Sequence, residues 1–128
     1  MAAPTVTVVG RLTADPELRF TPSGDAVVNF TVASNDSYKK NDEWVDKPAV
    51  FLRANAWRDL AENVAESLSK GDEVIVVGKL AQRDFETRDG EKRTVVELEV
   101  QTIGPSLRAV SATLQKAEKA GAGGGWRG

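Results

Sequence analysis

Several stretches of this chain alternate apolar and polar residues, the period of a half-buried β-strand, and one stretch keeps a different period. Between residues 59 and 71 the spacing becomes that of a helix. Leu60, Val64 and Leu68 recur at i, i+4 and i+8, with Ala61 and Ala65 beside them on one stripe. Asp59 is placed to cap the N-terminus, and Glu62 three residues on completes a capping box. Lys70 and Gly71 then supply the cation and the glycine with which helices end. The pattern predicts a single helix of about three turns, a plug on a β core, with no constellation that looks catalytic.

The strands on either side are read from the same alternation. In 5–12, Val6, Val8 and Leu12 share one face, and Thr5, Thr7 and Arg11 the other; Gly10 predicts a bulge or sharp bend. Asp15-Pro16 breaks the pattern, and Glu17–Phe20 forms a short extended piece before the turn signal Pro22-Ser23-Gly24. In 26–34, Ala26, Val28, Phe30 and Val32 face the core, and Asn29 and Thr31 face away. After the helix, Val74–Val77 is a continuous β-branched run, as expected of a strand buried on both sides or lying at an interface. Asp89-Gly90 then marks a hairpin. A two-residue loop pairs Arg88 with Glu91 and Glu86 with Arg93, and sets Phe85 opposite Thr94. That register puts Arg83, Phe85, Thr87, Lys92 and Thr94 on one face, free of acids, and Asp84, Glu86, Arg88, Glu91 and Arg93 on the other. The last strand, 94–102, is expected to turn Val96, Leu98 and Val100 inward.

The stretch 49–57 carries the functional signal. Extended, it shows Val50, Leu52, Ala54 and Ala56 on one face and Phe51, Arg53, Asn55 and Trp57 on the other. Two large rings bracketing a cation and an amide suit a surface that stacks flat bases and tracks phosphates. The alternative is a strand buried on both faces, with Phe51 and Trp57 in a second core; against it, Arg53 and Asn55 bury poorly without partners. Residues 35–48 are polar and turn-rich yet hold Tyr38, Trp44, Lys39 and Lys40. They read either as a flap that closes over a bound strand, its lysines near phosphates, or as a connection in which a ring caps the edge of the core.

Composition narrows the choices. A chain of 128 residues with 41% hydrophobic content fits one domain with a real core. No apolar run approaches membrane-spanning length, and the N-terminus lacks the layout of a signal peptide, so a cytoplasmic, nucleoid-associated protein is expected. With no cysteine and no histidine, disulfides, thiolate metal sites and the commonest general base are absent, and no cofactor is called for. The formal net charge of -2 counts against a generic basic nucleic-acid binder, so such a function must rest on local charge and on stacking. The Gly-rich residues 120–128 read as a disordered tail in which Trp126 is incidental. Leu107, Val110 and Leu114 mark a weak helix or another extended piece.

Five strands with one helix between the third and fourth is the layout of the OB barrel, whose second and third strands and adjoining loops bind oligonucleotides. The expected fold is therefore all-β with one helix: a five-stranded OB-fold barrel with an extended hairpin between its last two strands. The segments VVGRLTADPELRFTPSGDAVVNFTVAS (8–34), LAENVAESLSKGDEVIVVGKL (60–80) and RDFETRDGEKRTVVELEV (83–100) together resemble bacterial single-stranded DNA-binding proteins of actinobacterial type. The resemblance runs from about Thr5 to Gly104. It implies base stacking by the rings at Tyr38, Phe51, Trp57 and Phe85; Trp44 has no clear counterpart and is included on its loop position. It also implies a homotetramer, with residues 105–119 as an extension that helps clasp subunits in actinobacterial members. The family usually ends in an acidic tip that docks partner enzymes; this chain ends GAGGGWRG, so either the sequence is a truncated piece or the protein is a tailless paralogue, and in the tailless case that recruitment is in doubt while DNA coating is not.

The mechanism expected is stacking by those five rings, with Arg53, Asn55, Lys79, Arg83, Lys92, Lys39 and Lys40 supplying phosphate and polar contacts. Two other classes remain. One is an OB module for protein contacts or replication restart with weak DNA affinity. The other is a metal-dependent nuclease using Asp36, Asp42, Glu43 and Asp46; four acids in a turn-rich loop without a positioned base favour a solvated surface instead.

Overall fold

The computed structural model of the chain describes residues 3–34, 37–46 and 48–117. The Gly-rich stretch 120–128, Trp126 and Asp36 lie outside the described residues. Eight strands and one helix follow in order: β1 (Thr5–Leu12), β2 (Glu17–Phe20), β3 (Ala26–Ser34), β4 (Ser37–Lys40), β5 (Glu43–Asp46), β6 (Val50–Trp57), α1 (Asp59–Ser67), β7 (Glu73–Glu86) and β8 (Lys92–Pro105).

Five of the strands close on themselves. The main sheet runs β1-β7-β8-β6-β3-β2, and an added pairing of β1 with β3 joins its ends into a ring, leaving β2 as a flap on β3. Closure rests on two residue pairs, Arg11 with Ala33 and Leu12 with Val32. Gly10 sits at this seam. A side chain there would run into the Ala33 carbonyl oxygen, so the glycine permits close approach of two backbones. This is the OB barrel, mostly β with one helix. The β6–β8 pairing is parallel and the others are antiparallel.

The interior is built from the inward sides of the alternating strands. Leu12, Val28, Phe30, Val32, Ala54, Ala56, Val74, Val76 and Leu98 are buried, and Ala61, Val64 and Leu68 of the helical stripe close the bottom. A side chain of valine or leucine size stabilises by about 1.5–3 kcal/mol when fully buried. Phe30 is core, as its face predicts.

Three local expectations are corrected. The helix starts one residue earlier than an Asp59 cap requires: Arg58 is the N-cap, with φ 61° and no side-chain cap hydrogen bond. The cause is the preceding strand. Arg58 N donates to the Ala26 carbonyl at 2.7 Å, so the β3–β6 ladder holds the chain up to Arg58 and the helix begins directly beyond it. Asp59 and Glu62 still lie in the first turn, where acids suit the helix dipole. At the other end Leu68 is already extended, and Gly71 (φ 89°) belongs to a separate turn. Second, Val96 is exposed rather than inward, because β7 and β8 are each 14 residues long and their paired ends project past the ring. Third, Ile75 is exposed and Val77 half-buried, so within one chain the β-branched run is buried on one side only, which removes the first of its two readings and leaves the interface. Residues 106–117 form neither helix nor strand.

The segment expected to be a loop holds a hairpin. β4 and β5 pair with Lys40 opposite Glu43, and Asn41 and Asp42 take positive φ (52° and 64°) in a two-residue turn.

Candidate nucleic-acid interface

The outward face of β6 continues without a break into its neighbours. Register pairs set Arg53 beside Thr31 of β3 and Glu97 of β8, and Glu97 in turn beside Ala81 of β7. One row along lie Glu17, Asn29, Asn55, Glu99 and Lys79, from β2 to β7. Arg19, Val27 and Trp57 form a third row. Two residues further along β7 from Ala81, on the same face, come Arg83 and then Phe85.

This surface carries three exposed rings. Phe51 is 66% exposed, Trp57 49% and Phe85 42%, which rules out a second core for the β6 pair. Beside Trp57 lies a groove of about 380 Å³ lined by Glu17, Arg19, Asn29, Arg53, Asn55, Trp57, Arg83 and Glu97 among others. A second hollow of about 390 Å³ shares Asn55 and Trp57 and adds Lys79 and Glu99. The open concave strip is thus edged by Trp57, with Phe51 and Phe85 further out on the same face, and floored by amides, guanidiniums and carboxylates. Planar bases fit the rings, and a phosphate chain the guanidiniums.

Arg53, Asn55, Lys79 and Arg83 are brought together with Phe51, Trp57 and Phe85, as expected. Lys92 is not, because the hairpin register differs by one residue. Glu86 pairs with Lys92, Phe85 with Arg93 and Asp84 with Thr94. The loop holds three residues: Gly90 N donates to Thr87 O at 2.9 Å, and Thr87 N to Glu91 O at 2.8 Å, with Gly90 at φ 80°. Asp89-Gly90 therefore fills the last two positions of a type I turn plus bulge, not the centre of a two-residue turn. Lys92 turns to the side of Asp84 and Glu86, and Arg93 joins Phe85. Nor is the Phe85 side free of acids. Arg83 Nη2 contacts Glu97 Oε1 at 2.6 Å, and Arg93 Nη2 contacts Glu91 Oε2 at 3.4 Å.

Trp44 is 73% exposed on β5, so it does not cap the core, and Lys40 is exposed on β4. The side chains of Tyr38 and Lys39 lie outside what is described; their backbones pair with Val45 and Trp44. Ser34 pairs with Val50, so this hairpin leaves the ring next to Phe51. Sequence reasoning missed Arg19, Asn29, Arg93 and Glu97. The outward side of Asn29 was legible; joining it to Arg19 needed the β2–β3 register set by the Pro22-Ser23-Gly24 turn. Among the described residues no group of three or more acids is placed to hold a metal ion.

An OB barrel whose open face displays rings and cations around a groove is the class of protein that takes an extended oligomer across its strands. Sequence comparison makes the assignment specific: a profile described as the Single-strand binding protein family matches residues 4–106, and the chain belongs to that family. It is 64% identical over 119 residues to the single-stranded DNA-binding protein of Mycolicibacterium smegmatis, a match covering 91% of this chain and 72% of that one. The single-stranded DNA-binding protein of Paenarthrobacter aurescens is 56% identical over 129 residues, covering 95% and 75%. A crystal structure of a small single-stranded DNA-binding protein from Streptomyces coelicolor superposes with a TM-score of 0.72 at 31% identity, covering 84% of this chain and 97% of that one.

Proposed function

We propose that this chain binds and protects single-stranded DNA without regard to sequence, in support of replication, recombination and repair in the bacterial cytoplasm. The observation that carries this reading is the placement of Phe51, Trp57 and Phe85 as exposed rings on one face, with Arg53, Lys79, Arg83 and Arg93 among them. Every base offers a π-face, so stacking is indifferent to sequence. Duplex DNA hides those faces and is a poor ligand. The guanidiniums release counterions from the phosphates they meet, so affinity falls as salt rises. Trp44 and Lys40 are exposed on the β4–β5 hairpin, and stacking by Tyr38 and Trp44 with phosphate contacts from Lys39 and Lys40 completes the proposed reading.

The same reading gives the remaining parts of the chain their roles. Residues 1–104 form the DNA-binding and oligomerisation unit, and 105–119 clasp a second subunit. Support for assembly comes from β1 and β7, whose outer side presents Thr7, Val9, Ile75 and Val77 in paired register. Val9 and Ile75 are exposed there, and a homotetramer covers them. Titration of tryptophan fluorescence with oligo(dT) and with a duplex of equal length tests the function. Quenching by oligo(dT) alone, weakening with salt, is expected; no quenching by either returns the chain to a protein-contact module.

A further inference from the structure

A carboxylate stands on the floor of the groove, where a polyanion is to lie. Glu97 is only 17% exposed at its side chain, and both of its oxygens are engaged. Oε1 accepts from Arg83 Nη2 at 2.6 Å, and Oε2 accepts from Asn55 Nδ2 at 3.3 Å. Arg53 is its register neighbour across the β6–β8 pairing. Two of the groups best placed to meet DNA are thus already satisfied by an internal anion. We infer that Glu97 acts as a built-in competitor for phosphate: it occupies Arg83 and Asn55 in the free protein, and the strand must take them from it. This deepens the single-stranded DNA reading and rests on it.

The chemistry favours exchange over simple attraction. Arg83 remains largely exposed at its outer end, so its guanidinium can swing from carboxylate to phosphate about the same stem. Glu97 stays behind, half-enclosed, with its charge now facing the phosphate chain. The net gain per bound strand is therefore smaller than a count of cations gives, and release is correspondingly easier. Sequence alone hides the device, since Glu97 is one of two acids alternating with Val96, Leu98 and Val100.

Glu97→Gln tests it, because glutamine keeps the volume and one acceptor while removing the charge. Affinity for oligo(dT) is expected to tighten at least about threefold, because Arg83 and Asn55 no longer have to leave a carboxylate and none is left facing the phosphates. In the same series Arg83→Gln should weaken binding more in the Glu97→Gln background than in the wild type. Unchanged or weakened binding by a folded Glu97→Gln overturns the inference, and so does an Arg83→Gln effect equal in both backgrounds. Should Glu97→Gln not fold, the Arg83 Nε–H resonance of the wild type decides: a shift on adding oligo(dT) supports the exchange, and an unmoved signal in the bound state overturns it. Failure of the wild type to bind oligo(dT) at all would instead remove the function on which the inference rests.

Discussion

Trp57 and Arg58 show how much one residue can be asked to do. Trp57 ends β6 with its ring half-exposed on the outer face, while the next residue is held at φ 61° and hydrogen-bonded to Ala26. A non-glycine residue in that region is strained, and the β3–β6 ladder supplies the constraint that holds it there. Trp57 is consequently presented by a rigid corner rather than a mobile loop. Its loss should remove one stacking platform: Trp57→Ala is expected to weaken oligo(dT) binding by about 1–3 kcal/mol, measured by titration at fixed salt. The ring lies outside the core, so thermal unfolding of the variant should stay cooperative. At this scale β6 was legible from sequence because alternation alone separates Ala54 and Ala56 from Arg53, Asn55 and Trp57. Glu97 was not, because its meaning depends on Arg83 and Asn55, which reach it from two other strands.

Elements whose register is set by packing were legible, and those set by turn chemistry were not. The inward side of β3 is forced by Val28, Phe30 and Val32, and no slip is tolerated there. The β7–β8 arm projects past the ring with no buried side to fix it, so its register depends on whether Asp89-Gly90 builds a two- or a three-residue loop. The observed choice predicts that Arg93→Glu weakens oligo(dT) binding and flattens its salt slope by about 0.7, one phosphate, whereas Lys92→Glu leaves the slope near wild type. Equal slopes would contradict the faces described for the arm. A second element-scale device lies where β8 ends. Arg108 Nη2 and Nε meet the two Glu73 oxygens at 2.6 and 3.0 Å, tying the segment after β8 back to the start of β7. Hydrogen bonding from Arg108, then from Ser106, lowers the Glu73 pKa to about 2 from an ordinary 4.5, outweighing the opposing effect of burial. A depressed carboxylate contributes stability that is fully present above 4.5 and is lost as pH falls through about 2. Arg108→Ala should return the Glu73 carboxyl resonance toward an ordinary midpoint in an NMR pH titration, and remove that contribution to acid resistance.

For the whole molecule the question is why a barrel that satisfies its own core leaves a second apolar surface in water. Closure joins β1 to β3 only at Arg11 and Leu12, so the far edge of β1 from Thr5 to Val8 has no partner strand among the described residues. Beside that open edge, Val9 and Ile75 pair on the outer side. An unpaired edge next to an apolar patch is unstable against association, and no bulge or proline blunts the Thr5–Val8 segment. A second copy meeting β1 and β7 would answer both needs at once, and the proposed assembly would then follow from how the ring closes. Sequence showed this only as a β-branched run too apolar for one buried side; the free edge appears once the ring is drawn. Val9→Asp together with Ile75→Asp places charges on that outer side and leaves Val74 and Val76 in the core. Light scattering should then find a species closer to the 13.8 kDa chain than the wild type, with an intact far-ultraviolet spectrum. If the mass of the double variant equals that of a wild-type oligomer, subunits meet elsewhere, and if the wild type is already a monomer the apolar face has another occupant.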